Sequence, residues 1–408
     1  MVEKLANQPE DNVEKLANQP EGVADSEFTF TPEQAELRTA VRKFCAENFD
    51  EQTVRTLMES EPRFDPKVWA RLGTELGVLG LAVPEADGGA GGTLVDQAVA
   101  VEELGAALAC GPVFGTVFLS IPALVAASAG PVRDELLGAL SEGTRTAAFA
   151  VPDRAGAFDS AAVNVTASGD GTLTGTVERI PDAAATDVLL VAATGPDGVA
   201  LYAVDATGPG VQRTALTTLD LTRPQATIVL TDAPGQPVAG ADEAERVITH
   251  AFQVASALLA AEQVGAAQHL LDLSVDYAKS RLQFGRQIGS FQAVKHRLAD
   301  CLVDLEHARS AAYHAVWALT DGTDDPALAA SIAQATASAA FAKIAADTIQ
   351  VHGGIGFTWE HQTHLYFKRA TTDAALLGSA EAHRSRIAEL VLDEAPAERV
   401  PRVATGTR

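Results

Sequence analysis

The chain has 408 residues, 47% of them apolar, and a formal net charge of −24. This length favours two or three domains with a sizeable core. The excess of 54 acidic over 30 basic residues argues against a nucleic-acid partner. The three cysteines lack metal-ligand or redox spacing, and we expect neither a signal peptide nor a membrane span. These features predict a cytoplasmic protein with reduced thiols.

The first predicted helix begins after a repeated segment. In residues 1–28, VEKLANQPEDN is followed at once by VEKLANQPEG, which we interpret as a disordered tail or an expression artefact. Thr31 is then a helix N-cap with Pro32 at the first helical position. Residues 29–145 form the first predicted domain, which is all-helical. Its further helices are predicted at residues 66–76, 94–109, 121–129 and 132–140.

The pattern then alternates with period two through residues 146–243, where seven short strands predict a small β-barrel or sandwich. Helical periodicity returns in residues 244–393 and predicts a four-helix bundle. Residues 394–408 form a predicted tail. The expected fold is therefore a multidomain α+β protein with an N-terminal α-helical domain, a middle β domain and a C-terminal helical bundle.

Two glycine-containing stretches interrupt the bundle. RLQFGRQIGSFQAVKH spans residues 281–296, and QVHGGIGF spans residues 350–357. Gly353 and Gly354 allow a ligand to approach the backbone closely, although one glycine here could simply cap a helix. An isolated arginine such as Arg281 is usually a solvated surface charge. Three glycines in four residues nevertheless favour a ligand-binding loop.

This domain order and these two stretches resemble the acyl-CoA dehydrogenase family, in particular its actinobacterial members, over nearly the whole chain after Thr31. The resemblance implies FAD as cofactor and α,β-dehydrogenation of an acyl-CoA thioester to the 2-enoyl-CoA. It also implies electron-transfer flavoprotein as the electron acceptor. Because the family's flavin site is shared between protomers, it implies a homotetramer or a heterotetramer with a related chain.

The resemblance also implies which residues hold the cofactor. Arg281 matches an arginine that reaches the flavin diphosphate, and a planar guanidinium suits phosphate oxygens. Phe284 matches a ring packed near the cofactor, and Gln292 matches a glutamine that hydrogen-bonds it. The full expected cofactor-binding set is Arg281, Phe284, Gln292, Gln350, Gly353, Gly354 and Ser379.

The expected catalytic base is missing. Many members carry a glutamate directly before a Gly-Thr pair, and here that position is Leu377, followed by Gly378. Other members carry the base on the first bundle helix, at a position occupied by Ala255. Glu262 lies about two helical turns further on the same face. We predict Glu262 as a relocated base with a raised pKa; the alternative is a structural glutamate bonded to a buried arginine or to backbone.

Three functions follow from these departures. The first is an active FAD-dependent acyl-CoA dehydrogenase with Glu262, or less favoured Asp373, as the base; a solvated side chain is the alternative for Asp373. The second is a non-catalytic or half-site subunit of a heteromeric acyl-CoA dehydrogenase. The third is a flavin oxidase of the same fold.

In the β domain, Pro181 stands where the family places a threonine near the flavin, and proline offers neither N–H nor hydroxyl.

Overall fold

A computed structural model describes residues 30–154, 156–322 and 324–393 of the chain. The N-terminal repeat and the C-terminal tail named above lie outside these residues.

The N-terminal region is helical, as its caps and periodicity predict. The Thr31 side chain accepts from the Gln34 backbone, and the Gln34 side chain accepts from the Thr31 backbone, a reciprocal cap that fixes where the first helix begins. A π-helical segment, Phe114–Ser120, leads directly into the fifth helix. The six helices are α1 (Pro32–Asn48), α2 (Glu51–Leu57), α3 (Pro66–Thr74), α4 (Leu94–Ala106), α5 (Ile121–Ala126) and α6 (Pro131–Ser141).

The middle region forms one eight-stranded sheet and a small separate hairpin. All seven predicted strands are present. The sheet also contains β10, and the hairpin consists of β2 and β3; none of these three was predicted. The strands are β1 (Ala147–Ala150), β2 (Asp153–Arg154), β3 (Ala157–Phe158), β4 (Val165–Ala167), β5 (Thr172–Pro181), β6 (Val188–Gly195), β7 (Gly198–Asp205), β8 (Val211–Ala215), β9 (Gln225–Pro234) and β10 (Gln236–Ala239).

The sheet has the order β10-β7-β6-β4-β5-β9-β8, with β1 added in parallel to β6. Its pairs β6–β7 and β5–β9 are antiparallel. One side of the sheet packs around its own apolar cluster, which includes Leu173, Leu189 and Ile228. Residues of β1, β6 and β7 that belong to the larger cluster pack with the helices. The sheet is thus held against the helices on one side.

The C-terminal region is a bundle of long helices. Its elements are α7 (Ala244–Ser280), β11 (Leu282–Gln283), β12 (Arg286–Gln287), α8 (Gln292–Asp321), α9 (Pro326–His352), α10 (Thr363–Asp373) and α11 (Ala380–Ala388). Gln263 hydrogen-bonds Ser338, and Ser274 hydrogen-bonds Thr348. The residue numbers in α7 and in α9 increase together from the first contact to the second. The two helices therefore run parallel and end side by side.

One segment, Pro326–Phe357, is long and apolar enough to cross a membrane by length and composition. Of its most apolar window, 61% is buried inside the protein. A buried core helix of a soluble protein passes the same test, so this is weak evidence for a membrane span.

Candidate functional site

A large cavity of about 1120 Å³ lies between the sheet and the bundle. Its wall combines apolar side chains from the π-helical segment, β1, α7 and the end of α10. Leu377, the position expected to hold a base, is 4% exposed and lies on this wall together with Pro181. The other apolar members include Phe114, Phe149, Val177, Phe252 and Leu376. The large cavity therefore contains the position at which the sequence analysis expected the catalytic base.

The backbone around Leu377 is fixed by close contacts. Leu377 has a positive φ of 56°, and its carbonyl accepts a hydrogen bond from His383 Nε2 at 2.8 Å. Gly156 packs closely against the same carbonyl, because a Cβ on Gly156 would lie only 2.9 Å from that oxygen. These contacts hold an aliphatic side chain, which cannot accept a proton, at the cavity wall.

Two carboxylates, those of Asp153 and Glu178, also line the large cavity. Asp153 accepts a hydrogen bond from the Gly156 backbone N–H at 3.0 Å. Although Asp153 stays in contact with solvent, the atoms packed around its carboxylate raise its pKa through desolvation. Sequence reasoning did not single out Asp153, which lies in a hairpin too short to give a strand pattern.

Glu262 lies away from the large cavity, buried between two arginines. Its Oε1 accepts from Arg223 Nη2 at 2.5 Å and also from Arg369 Nη1, and the residue is 4% exposed. Burial opposes ionisation of the carboxyl, but the two guanidinium charges outweigh it and lower the pKa of Glu262. The raised pKa expected from the sequence is therefore wrong. These contacts match the alternative of a structural glutamate bonded to a buried arginine.

Asp373 belongs to the same group of charges. It is fully buried, and its carboxylate lies 3.5 Å from Arg223 Nε, so the alternative of a solvated side chain is wrong. Burial raises the pKa of Asp373 to about 7. Asp220 completes the group by accepting from Arg369 Nε at 2.8 Å. We call these residues the buried ion cluster: Asp220, Arg223, Glu262, Arg369 and Asp373.

The residues predicted to contact the flavin diphosphate lie exposed where α7 ends and α8 begins. Arg281 is the C-cap of α7, and Gln292 is the first residue of α8. Between them Phe284 is 91% exposed with a positive φ of 52°. The Tyr277 ring stacks on the His352 ring at 4.4 Å, which brings this end of α7 beside the end of α9. The glycine-rich loop is therefore adjacent to Arg281.

The structure explains the glycines at positions 353 and 354 differently. Gly353 is the C-cap of α9 with φ of 64°, so helix capping accounts for it. Gly354 has no such φ, and a Cβ there would meet no atom within 4 Å among the described residues. Packing inside this chain does not require that glycine, which fits close approach by a group from outside. Gln350 is exposed on the last turn of α9.

Ser379 lies far from the other expected cofactor residues. It is the N-cap of α11 and accepts from the Ala382 backbone at 3.2 Å. Close by, Gln334 near the start of α9 donates to the Leu376 carbonyl at 3.4 Å. Gln334 precedes Gly353 by 19 residues, or about 28 Å of helix at 1.5 Å per residue. The structure thus brings six expected residues to one end of α9 and places Ser379 near the other.

The chemistry of these surfaces fits a dinucleotide. An exposed guanidinium beside exposed glycine backbone suits a diphosphate. The large cavity, next to Ser379, has room for an aromatic ring system. The two parts lie toward opposite ends of α9.

Comparison with known proteins identifies the family of this chain. Family models for the acyl-CoA dehydrogenase N-terminal and C-terminal domains match residues 31–143 and 245–392. Acyl-CoA dehydrogenase IpdE2 of Mycolicibacterium smegmatis is 35% identical over 87% of this chain and 97% of its own length. The IpdE2 of Mycobacterium tuberculosis is 37% identical over 85% of this chain and 94% of its own length.

Solved structures give the same result. The ChsE4–ChsE5 complex from Mycobacterium tuberculosis matches with TM-score 0.81 and 30% identity, over 91% of this chain and 100% of the matched one. A variant of the Tcur3481–Tcur3483 steroid ACAD matches with TM-score 0.79 and 34% identity, over 88% of this chain and 98% of the matched one. This chain therefore belongs to the acyl-CoA dehydrogenase family, whose members are FAD-dependent oxidoreductases acting on CH–CH bonds.

Proposed function

We propose that this chain is an FAD-binding subunit of a heteromeric acyl-CoA dehydrogenase, in which a related chain supplies the catalytic carboxylate. The assembly converts an acyl-CoA thioester to the 2-enoyl-CoA. One observation carries this proposal: Leu377 lines the large cavity where the base is expected, while Glu262 is bound by Arg223 and Arg369 inside the buried ion cluster.

Each part of the chain has a separate task in this proposal. When bound, FAD would supply the acceptor for a hydride from the β-carbon, and electron-transfer flavoprotein would take up the electrons. Arg281 and the Gly354 backbone would hold the diphosphate of this FAD. Leu377 and Phe252 supply apolar surface to the large cavity of this chain. The α-proton goes to a carboxylate of the partner.

The placement of the cofactor residues supports a second chain. Arg281 and Ser379 lie near opposite ends of α9, so a complete site needs residues from two subunits. The ChsE4–ChsE5 complex is, by its description, an assembly of two different chains. Similarity to a protein described as a steroid ACAD supports a bulky acyl group. We further propose a cytoplasmic tetramer of two plus two chains.

A second candidate function is an active enzyme made of this chain alone, with Asp153 as the base. Its supporting observation is that the Asp153 carboxylate lines the same cavity as Leu377 and has a raised pKa. A general base works best when its pKa lies near the working pH. In this case the chain alone would remove the α-proton of an acyl-CoA.

Exchange of the substrate α-proton in D₂O separates the two functions, because it reports the base without net oxidation. The chain is prepared alone and together with a related chain, each loaded with FAD. We expect α-proton exchange only in the preparation that contains the related chain. A yellow homo-oligomer that exchanges the α-proton, and loses exchange in Asp153→Asn, would establish the second function instead.

A further inference from the structure

A small cavity lies between α4, the π-helical segment and the buried ion cluster. Its volume is about 10 Å³, which is close to the space that one water molecule needs. One side is apolar, with Leu104, Phe114 and Phe118, and the other is polar, with Asp182, Arg223 and Glu262. Purely apolar cavities of this size stay dry, whereas cavities with polar walls hold water or ligand oxygens.

Two buried side-chain atoms of residues that line the small cavity have unused hydrogen-bonding capacity. Arg223 and Glu262 are each 4% exposed, and they contact each other through a single pair, Arg223 Nη2 and Glu262 Oε1 at 2.5 Å. Within the described part of the chain, Arg223 Nη1 and Glu262 Oε2 have no hydrogen-bond partner. Leaving such buried groups unpaired is costly, so these two residues provide one free donor and one free acceptor beside the small cavity.

The charge around the small cavity excludes most ions. With Asp182 included, four carboxyl groups face two guanidinium groups in this region. A further anion would add to an existing excess of carboxyl groups, and 10 Å³ has no room for a hydrated cation. A hydroxyl oxygen fits both constraints because it is neutral and can accept and donate at once.

We propose that the small cavity is a binding site for one hydroxyl-type oxygen, which accepts from Arg223 Nη1 and donates to Glu262 Oε2. This oxygen comes either from a resident water or from a hydroxyl group on the acyl chain of the substrate. Phe114 lines both the small and the large cavity, and the Arg223 guanidinium lies 5.1 Å from its ring centre. The Phe114 ring therefore belongs to the walls of both cavities and is the point at which they adjoin.

High-resolution crystal structures of the FAD-loaded assembly test this proposal. One is determined without ligand, and two with a matched pair of non-reactive thioether acyl-CoA analogues, one hydroxylated at the far end of the acyl chain and one not. We expect an oxygen within hydrogen-bond distance of both Arg223 Nη1 and Glu262 Oε2. If the same oxygen stays in all three structures, its source is water. If the analogue's hydroxyl replaces it, its source is the acyl chain.

Binding of the same pair of analogues gives an independent measure of the source. A hydroxyl that fills the small cavity is expected to bind at least about tenfold more tightly than its deoxy partner, whereas a resident water predicts equal affinities. The acyl source rests on the proposed function, but the ligand-free structure does not, so failure of α-proton exchange leaves the water source testable. An empty small cavity, or a chloride ion in it, would overturn the proposal.

Discussion

Replacing Glu262 by glutamine should weaken the fold without removing the chemistry. Glutamine keeps the shape of Glu262 but loses the charge that faces Arg223 and Arg369. Breaking a buried ion pair by removing one partner usually costs about 3–5 kcal/mol. Here Arg369 keeps Asp220 at 2.8 Å and Arg223 keeps Asp373 at 3.5 Å. Removing the charge of Glu262 also removes its repulsion with Asp373, which offsets part of the cost. We therefore expect the free energy of unfolding to fall by about 2 kcal/mol.

The assay is urea unfolding of the FAD-loaded assembly, with α-proton exchange measured on the same samples. The matched control is Glu306→Gln, because the Glu306 side chain is 53% exposed and lies 3.5 Å from Arg309 in an i,i+3 pair. This control should lose less than about 0.5 kcal/mol. Exchange should stay at the wild-type level in both variants. Unchanged stability of Glu262→Gln together with abolished exchange would refute the structural role and restore Glu262 as the base.

Three further predictions follow from the same geometry. The folded-state pKa of Asp373 is raised to about 7 from 3.8, so the folded state binds the extra proton and stability falls as pH rises through that interval; Asp373→Asn should reduce the drop in melting temperature between about pH 5 and pH 8, and an undiminished drop would contradict this. Arg281→Ala should weaken FAD binding at least about tenfold in fluorescence titrations, whereas Arg384→Ala, with a side chain 57% exposed on α11, should not. Light scattering should find a tetramer, and a flavin-loaded monomer would refute the shared site.

Most of the helices were predicted from local signals at their ends, although α2 and the π-helical segment Phe114–Ser120 were not predicted. Thr31 and Pro32 mark where α1 begins. α9 begins where the Asp325 side chain accepts from the Ala327 and Leu328 backbone N–H groups, and it ends at Gly353. β10 was missed because Pro237 breaks the strand pattern in four residues. Local backbone chemistry therefore determined which elements were predictable.

The buried ion cluster could not be predicted, because its members come from separate parts of the chain. Arg223 lies in the loop between β8 and β9, Glu262 lies on α7, and Arg369 lies on α10. Nothing local marks an arginine as buried, since most arginines are exposed. Glu262 is recognisable in the sequence as a carboxylate within an apolar run. The alternative to a catalytic base was a structural glutamate bonded to a buried arginine or to backbone. Only the tertiary contacts identify those partners as Arg223 and Arg369.

Anaerobic flavin bleaching by acyl-CoA tests most directly whether this chain carries its own base. The FAD-loaded chain is mixed with a series of acyl-CoA thioesters, alone and after assembly with the related chain, and flavin absorbance is followed. We predict no bleaching by the chain alone, bleaching by the heteromeric assembly, and gain of bleaching by the chain alone when Leu377→Glu restores a carboxylate at the cavity wall. Rapid bleaching by the wild-type chain alone would contradict the account.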